Sequence, residues 1–325
     1  MEDTLLNLFS ILASTIRMAC PLVLAAMGGI LAERSGIVDI GLEGKILAGA
    51  FAGAALSSQA QSPWIGLMGG MGVAIALSLL HGVATIRYKG DHVVSGIAIN
   101  FLASGLTVVL GQAWFEQGGQ TPTLLETQRF APIQLIPADG TLAQIPVIGP
   151  LLRTVISGYP ILVYLTVLVV VLMVLLLGHT RFGLRLRAVG EEPNAVDTAG
   201  ISVARLRYLA LIGTGALCGA AGCYLSMAQN ASFTREMSAG GGYIAIAAVI
   251  FGKWRPLPVA GACLLFGFLT AMEARFQGQE WPLIGQVPTQ VFQILPYVLT
   301  VILLAGFIGR AVAPKAIGKP YVKER

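Results

Sequence analysis

The charged residues of this chain are confined to short clusters that separate long apolar runs. Only 11% of the residues are charged and 55% are hydrophobic, whereas a soluble domain carries about 25% charged residues. A bilayer core of roughly 30 Å requires about 20 apolar residues for each helix that crosses it. Most of the uncharged runs approach this length, so the sequence predicts an all-α polytopic membrane protein.

Nine such segments can be marked, which gives a working count of nine transmembrane helices within a range of eight to ten. They are 5–31, 46–56, 64–86, 92–114, 159–177, 208–227, 237–252, 256–272 and 288–308. The second segment can begin earlier, near Gly41 and Gly44, and the first can be an interfacial helix followed by a span. We treat residues 1–325 as a single transmembrane domain.

The basic residues are distributed unevenly between the two sets of loops that nine crossings define. One set, with the tail 309–325, holds 16 Lys and Arg residues and the other holds 4, with Arg17 unassigned. Cytoplasmic loops carry an excess of Lys and Arg. The distribution predicts a cytoplasmic C-terminus and an external N-terminus.

Two loops are long enough to carry function. The predicted external loop 115–158 contains five prolines and cannot form a helix of bilayer length, so we expect an irregular cap or a plain connector. The cytoplasmic loop 178–207 contains a short predicted helix that begins at Pro193 and stops at Gly200, with Glu191 and Glu192 near its positive end. Such a helix suits docking to a soluble partner, although a solvated loop would obey the same charge rule.

The segment 237–252 is short for a span, because its 16 residues make a helix of about 24 Å. It contains Gly240, Gly241 and Gly242, which favour a broken or re-entrant helix lining the substrate pathway. A similar interruption is expected near residues 39–44. Paired interruptions are typical of inverted repeats around a central site, whereas close packing of small residues is the alternative.

Polar residues within the spans are few. Asn100 can donate and accept hydrogen bonds, which suits a nucleobase edge or a ribose hydroxyl or an interhelical bond. Gln290 and Gln293 share one face of the last span and are further pathway candidates, or packing residues. Asp39 and Glu43 are candidate gate residues or helix caps. No carboxylate is expected at mid-span, which disfavours an ion-driven carrier.

Several classes of activity lack support in the sequence. No Gly-x-x-x-x-Gly-Lys-Ser/Thr motif occurs, so the chain is not expected to bind ATP. His81, His92 and His179 show no metal or nucleophile spacing, and the four cysteines lie in apolar segments as small buried residues. We therefore expect neither an enzyme nor a metal or cofactor site, and the net charge of +5 reflects topology and not nucleic-acid binding.

Five stretches, in order along the chain, carry a resemblance to a known family. They are ERSGIVDIGLE (33–43), GDHVVSGIAINFLASGLT (90–107), LRAVGEEPNAVDTAGI (186–201), GGGYIAIAAVIFGKWRPL (240–257) and APKAIGKPY (313–321). Together they resemble the permease subunits of nucleoside-type ATP-binding-cassette (ABC) importers, in the broader family that serves ribose and branched-chain amino acids. The DIGLEG and GKPY stretches are similar to the shorter of the two permeases in such systems.

This resemblance implies a permease that moves nucleosides across a bacterial inner membrane by alternating access. It implies that the loop docks into a cytoplasmic ATPase through Glu191, Glu192, Pro193, Asn194 and Asp197. The implied partners are a second related permease, two ATPase subunits that bind the ATP, and an external substrate-binding protein. A permease for ribose or a related sugar and an ion-driven secondary transporter remain the alternatives.

Overall fold

The computed structural model describes residues 2–135, 148–276, 280–281, 285–286 and 312–323, with residues 294, 298 and 302. Within these residues the chain is almost entirely helical. The helices are α1 (Glu2–Arg34), α2 (Leu42–Ala60), α3 (Pro63–Gly82), α4 (His92–Phe115), α5 (Ile148–Val155), α6 (Ile161–His179), α7 (Arg181–Glu191), α8 (Pro193–Thr198), α9 (Val203–Tyr224), α10 (Gly241–Phe251) and α11 (Pro256–Phe276). Two π-helical turns, Val83–Arg87 and Leu225–Gln229, extend α3 and α9.

The strands are short and pair antiparallel. β1 (Pro132–Ile133) pairs with β2 (Tyr159–Pro160), and β3 (Glu280–Trp281) pairs with β4 (Gly285–Gln286). The predicted loop 115–158 contains a 3-10 turn at Glu126–Gln128 and the eight-residue α5. No helix of bilayer length occurs among the described residues of this loop, as predicted.

The predicted all-α membrane architecture is confirmed. Six helices, α1, α3, α4, α6, α9 and α11, are long and apolar enough to cross a membrane. The predicted second and seventh segments correspond to α2 and to the short α10. Apart from residues 294, 298 and 302, the predicted last span lies outside the described residues. α1 is one continuous helix through Pro21 and not an interfacial helix followed by a span. These helices are compatible with the working count of nine.

The helices α1 and α9 form the centre of the molecule. About half or more of the apolar stretch is buried in α1 (56%) and α9 (61%), against 22% in α4. Three glycines of α9, Gly215, Gly219 and Gly222, face α2 and α3, and a Cβ on Gly222 would collide with the α2 backbone at Ile46. Small residues therefore allow these helices to pack backbone to backbone, as membrane helices commonly do.

Contacts between loops define two ends of the bundle. At one end, which we call the α8 end, the Arg34 guanidinium donates to the Trp254 carbonyl at 3.1 Å and the Val38 amide donates to His92 Nδ1 at 3.1 Å. At the opposite end, the α5 end, the Thr121 amide donates to the Phe233 carbonyl at 3.1 Å. The spanning helices run between these two ends.

Candidate functional site

The helix α2 begins well inside the bundle. Its Gly44 amide donates to Asn100 Oδ1 at 2.8 Å, and Asn100 lies eight residues along α4 from His92, about 12 Å above the α8 end. The segment 35–41 covers this distance, from the end of α1 to the start of α2, without forming a helix. The interruption predicted near residues 39–44 is therefore present.

The helix α10 begins beside the start of α2. One carboxylate, that of Glu43, accepts hydrogen bonds from the Gly240 amide at 2.9 Å and the Gly242 amide at 2.6 Å. A Cβ on Gly242 would collide with the Glu43 backbone, so glycine is required at this crossing. Glu43 thus caps the positive N-terminal end of α10, which is the cap role that the sequence left open.

The two short helices run in opposite directions from this point. α2 proceeds to Gln61 at the α5 end, and α10 proceeds to Phe251, next to Trp254 at the α8 end. The predicted break at Gly240, Gly241 and Gly242 is present, and Gly240 has φ +79°. Two discontinuous helices that meet head to head are typical of transporters built from inverted repeats, whose substrate sites lie at such meeting points.

Asn100 joins three elements at the same level. Its Nδ2 donates to the Ile40 carbonyl at 3.1 Å and to the Tyr243 hydroxyl at 2.9 Å, in addition to the bond from Gly44. The amide is therefore engaged in interhelical hydrogen bonds. Tyr243, with 47% of its side chain exposed, is a polar neighbour that sequence reasoning missed, because it stands alone in an apolar run.

The expectation that no carboxylate lies at mid-span is wrong. Glu43 lies level with the middle of the bundle, and Glu236 accepts a short hydrogen bond from Ser104, which lies near the midpoint of α4. Glu236 lies just outside the predicted segment 237–252, so hydropathy gave no indication that it reaches this depth. The backbone instead enters the bundle here, so that loop residues reach mid-depth.

Asp39 is buried and forms an ion pair with Lys45. Both side chains are almost completely excluded from solvent, at 1% and 0% exposure. The pair fixes the segment 35–41 against the first turn of α2, so the structure places Asp39 in a packed contact. The other pathway candidates, Gln290 and Gln293, lie outside the described residues.

The predicted short helix of the loop 178–207 is confirmed as α8, with Pro193 in its first turn and Gly200 at φ +77° just beyond its end. Glu191, Glu192 and Asn194 are exposed. The Asp197 carboxylate lies 3.8 Å from Lys323 Nζ. The residues that the resemblance implies in docking therefore cluster on one projecting turn.

Two sets of contacts anchor α8 to the spanning helices. Buried Val196 packs with Val189, Val203 and Leu206. Nearby, the segment 312–323 crosses the surface, where the Ala316 amide donates to the Gly190 carbonyl and the Gly318 amide to the Gly36 carbonyl, each at 2.9 Å. These contacts join the region of α7 and α8 to the ends of α1 and α9.

Comparisons with known proteins agree with this architecture. The family described as "Branched-chain amino acid transport system / permease component" matches residues 11–304. A nucleoside ABC transporter permease protein, NupC of Lactococcus lactis, is 37% identical over 97% of this chain and 97% of its own length. A guanosine ABC transporter permease protein, NupQ of Bacillus subtilis, is 38% identical over 96% of both chains.

A more distant relative carries a different substrate name. The putative glucose ABC transporter permease protein TsgC13 of Haloferax volcanii is 30% identical over 97% of this chain and 98% of its own length. No solved structure matches the chain. Because the family match covers most of the sequence and these relatives span nearly its full length, the chain belongs to the branched-chain amino acid transport system permease family of ABC transporters.

Proposed function

We propose that this chain is the membrane-spanning permease subunit of an ABC importer that carries nucleosides by alternating access. The observation that carries the proposal is the identity of 37% and 38%, over almost the whole chain, to permeases named for nucleosides and guanosine. The relative named for glucose is less similar, at 30%. A nucleoside is neutral and both donates and accepts hydrogen bonds, so uncharged amide and hydroxyl side chains are suited to bind it.

In this proposal the α8 end faces the cytoplasm, because the loops at that end hold most of the basic residues. The exposed turn formed by Glu191, Glu192, Pro193 and Asn194 docks into a separate ATPase subunit. Closure of two ATPases on ATP moves α8, and the contacts through Gly190 and Gly36 pass this movement to the segment that leads to Glu43. The start of α10, which Glu43 caps, then shifts between outward-open and inward-open states.

A second permease covers the face that carries Glu236. This carboxylate is exposed in the single chain although it lies at the level of the middle of α4. An ionised side chain at that depth faces a bundle interior or a water-filled path and not lipid. We expect the related permease to complete the pathway there, and an external binding protein to deliver the nucleoside at the α5 end.

Uptake by the purified assembly in proteoliposomes tests this function. We expect ATP-dependent accumulation of labelled guanosine or uridine that a protonophore does not abolish. Preferred accumulation of ribose would favour the sugar alternative. Uptake that survives without ATP and collapses with a protonophore would contradict the proposal and favour an ion-driven carrier.

Charge reversal on the docking turn tests the coupling role. The double variant Glu191→Lys and Glu192→Lys should weaken co-purification of the ATPase roughly tenfold, since each surface ion pair contributes about 0.5–1 kcal/mol. Membrane insertion should be unchanged. Glu126→Lys, an exposed reversal at the α5 end, is the matched control, and equal co-purification of both variants would contradict the assigned contact.

A further inference from the structure

Two neighbouring cavities lie beside α1 and the π-helical turn that extends α9, the inner one next to the segment that precedes α10 and the outer one next to β1 and β2. The inner chamber has a volume of about 200 Å³ and is bounded by Pro21, Ile46, Leu225, Ser238, Gly241 and Thr270. The outer chamber has a volume of about 310 Å³ and is bounded by Ser14, Arg17, Pro132, Gly158, Pro160 and Tyr224. Met18 and Gln229 line both chambers, so the cavities meet at these two side chains.

The inner chamber contains two polar atoms without a partner. Ser238 is 7% exposed, and its Oγ finds no hydrogen-bond partner among the described residues, nor does Gln229 Oε1. A buried polar group left unpaired costs about 1–3 kcal/mol, so such groups in a native protein require an explanation. A ligand that hydrogen-bonds to both would provide one.

The rest of the inner chamber restricts the chemistry of that ligand. Its other described lining residues are uncharged, and most are apolar. A cavity of about 150 Å³ accommodates a benzene ring, so this chamber has room for one planar heterocycle. The ligand should therefore be neutral, flat and able to both donate and accept hydrogen bonds.

The barrier between the chambers is a weak contact. Gln229 Nε2 donates to Met18 Sδ at 3.4 Å, and a thioether is a poor acceptor. Gln229 also ends the π-helical turn Leu225–Gln229, a form that occurs often at functional sites. Rotation of these two side chains would join the chambers at little cost.

The outer chamber opens at the α5 end. Arg17 and Pro132 at its edge are exposed, and the Arg17 guanidinium lies 5.5 Å from the centre of the Tyr159 ring. Hydroxyl and guanidinium groups give this chamber a more polar lining than the inner one. It suits a polyhydroxylated group.

We propose that the two chambers form one nucleoside site, in which Gln229 and Ser238 bind the base in the inner chamber and the outer chamber holds the sugar. The Met18–Gln229 contact opens to admit the base. This inference rests on the proposed function, because it names the site of the same substrate. It places a binding site inside one permease, next to the broken start of α10.

Transport kinetics test the hydrogen bonds. In the proteoliposome assay, with whichever of guanosine and uridine the wild type takes up faster, Ser238→Ala and Gln229→Leu should each raise KM by roughly 3–10-fold, as expected for a lost hydrogen bond. The maximal rate should change less. Ser58→Ala is the matched control, because Ser58 lines neither chamber and its hydroxyl already donates to the Ala55 carbonyl at 2.8 Å. An unchanged KM in both test variants would overturn the site.

Thiol labelling tests occupancy without transport. The four native cysteines are buried and line neither chamber, whereas Ser238 lines the inner one, so Ser238→Cys in nanodiscs should provide the main site for a small methanethiosulfonate reagent. Guanosine or uridine should slow its labelling at least fivefold, and ribose should not. Absent labelling, or labelling that neither nucleoside slows, would overturn the inference. If the wild type takes up no nucleoside the proposed function fails, and protection of this cysteine then decides the site separately.

Discussion

The starts of α2 and α10 meet at one carboxylate, yet they are built differently. The first turn of α2, residues 42–45, is buried on every side, and the Asp39–Lys45 ion pair fixes the segment before it. Close packing of this kind resists small displacements. The start of α2 is therefore a rigid reference point.

The start of α10 has the opposite character. Glu236 and Ala239, which precede it, have φ of +54° and +46°, a region that non-glycine residues adopt only at a cost. The inner chamber lies beside Ser238 and Gly241, so the turn has empty volume on one side. We therefore expect α10 to be the half helix that moves during transport, while α2 holds its position.

Breaking the buried ion pair should have the largest effect. Lys45→Met leaves the Asp39 carboxylate buried without a counter-charge, which should lower the free energy of unfolding by about 3–5 kcal/mol. The measurement is the unfolding midpoint of the purified chain in detergent. The double variant Asp39→Asn and Lys45→Met should recover most of the loss. A double variant as unstable as the single one would show that the pair does not fix the start of α2.

Adjacent glycines provide a sharper test of where the two helices touch. Gly242→Ala should cost about 1–3 kcal/mol through overpacking, because its Cβ would collide with the Glu43 backbone. Gly241→Ala is the matched control, since its Cβ would meet only Leu22 Cδ2 at 3.5 Å. Comparison of unfolding midpoints measures both. Equal losses would contradict the described crossing.

The smallest expected effect is that of a change at Glu43, and it tests directly whether α10 is more mobile than α2. Glu43→Gln removes the charge that caps α10, so opening of the Gly240–Gly242 turn should become easier by about 1 kcal/mol. Hydrogen exchange should accelerate roughly fivefold in residues 240–246 and stay unchanged in residues 46–52. Faster exchange in α2 than in α10 would reverse the assignment of the moving half.

Local patterns in the sequence predicted the helices but not the contacts between them. The shortness of 237–252 and its glycines indicated the broken helix, and Pro193 with Gly200 indicated α8. Hydropathy indicates the length of a membrane segment, and the distribution of charge indicates on which side of the membrane each loop lies. Neither specifies which segments touch, so the bond from Gly240 to Glu43, 197 residues away, had no local signal.

The lack of contact information in the sequence also explains why Gln229 and Ser238 were not predicted as site residues. In the sequence they are ordinary residues near the end of a span, because nothing in their neighbours indicates an unpaired polar atom. That property depends on the packing of α1 against α9 and on the path of the chain before α10. Only the assembled structure brings these residues to one cavity.

The contacts of segment 312–323 also set an order for biogenesis. Ala316 and Gly318, which bind the Gly190 and Gly36 carbonyls, follow every described helix in the order of synthesis. A ribosome must therefore complete the membrane helices before the surface around α8 can close. If this turn docks an ATPase as proposed, we expect only a fully inserted permease to present it complete.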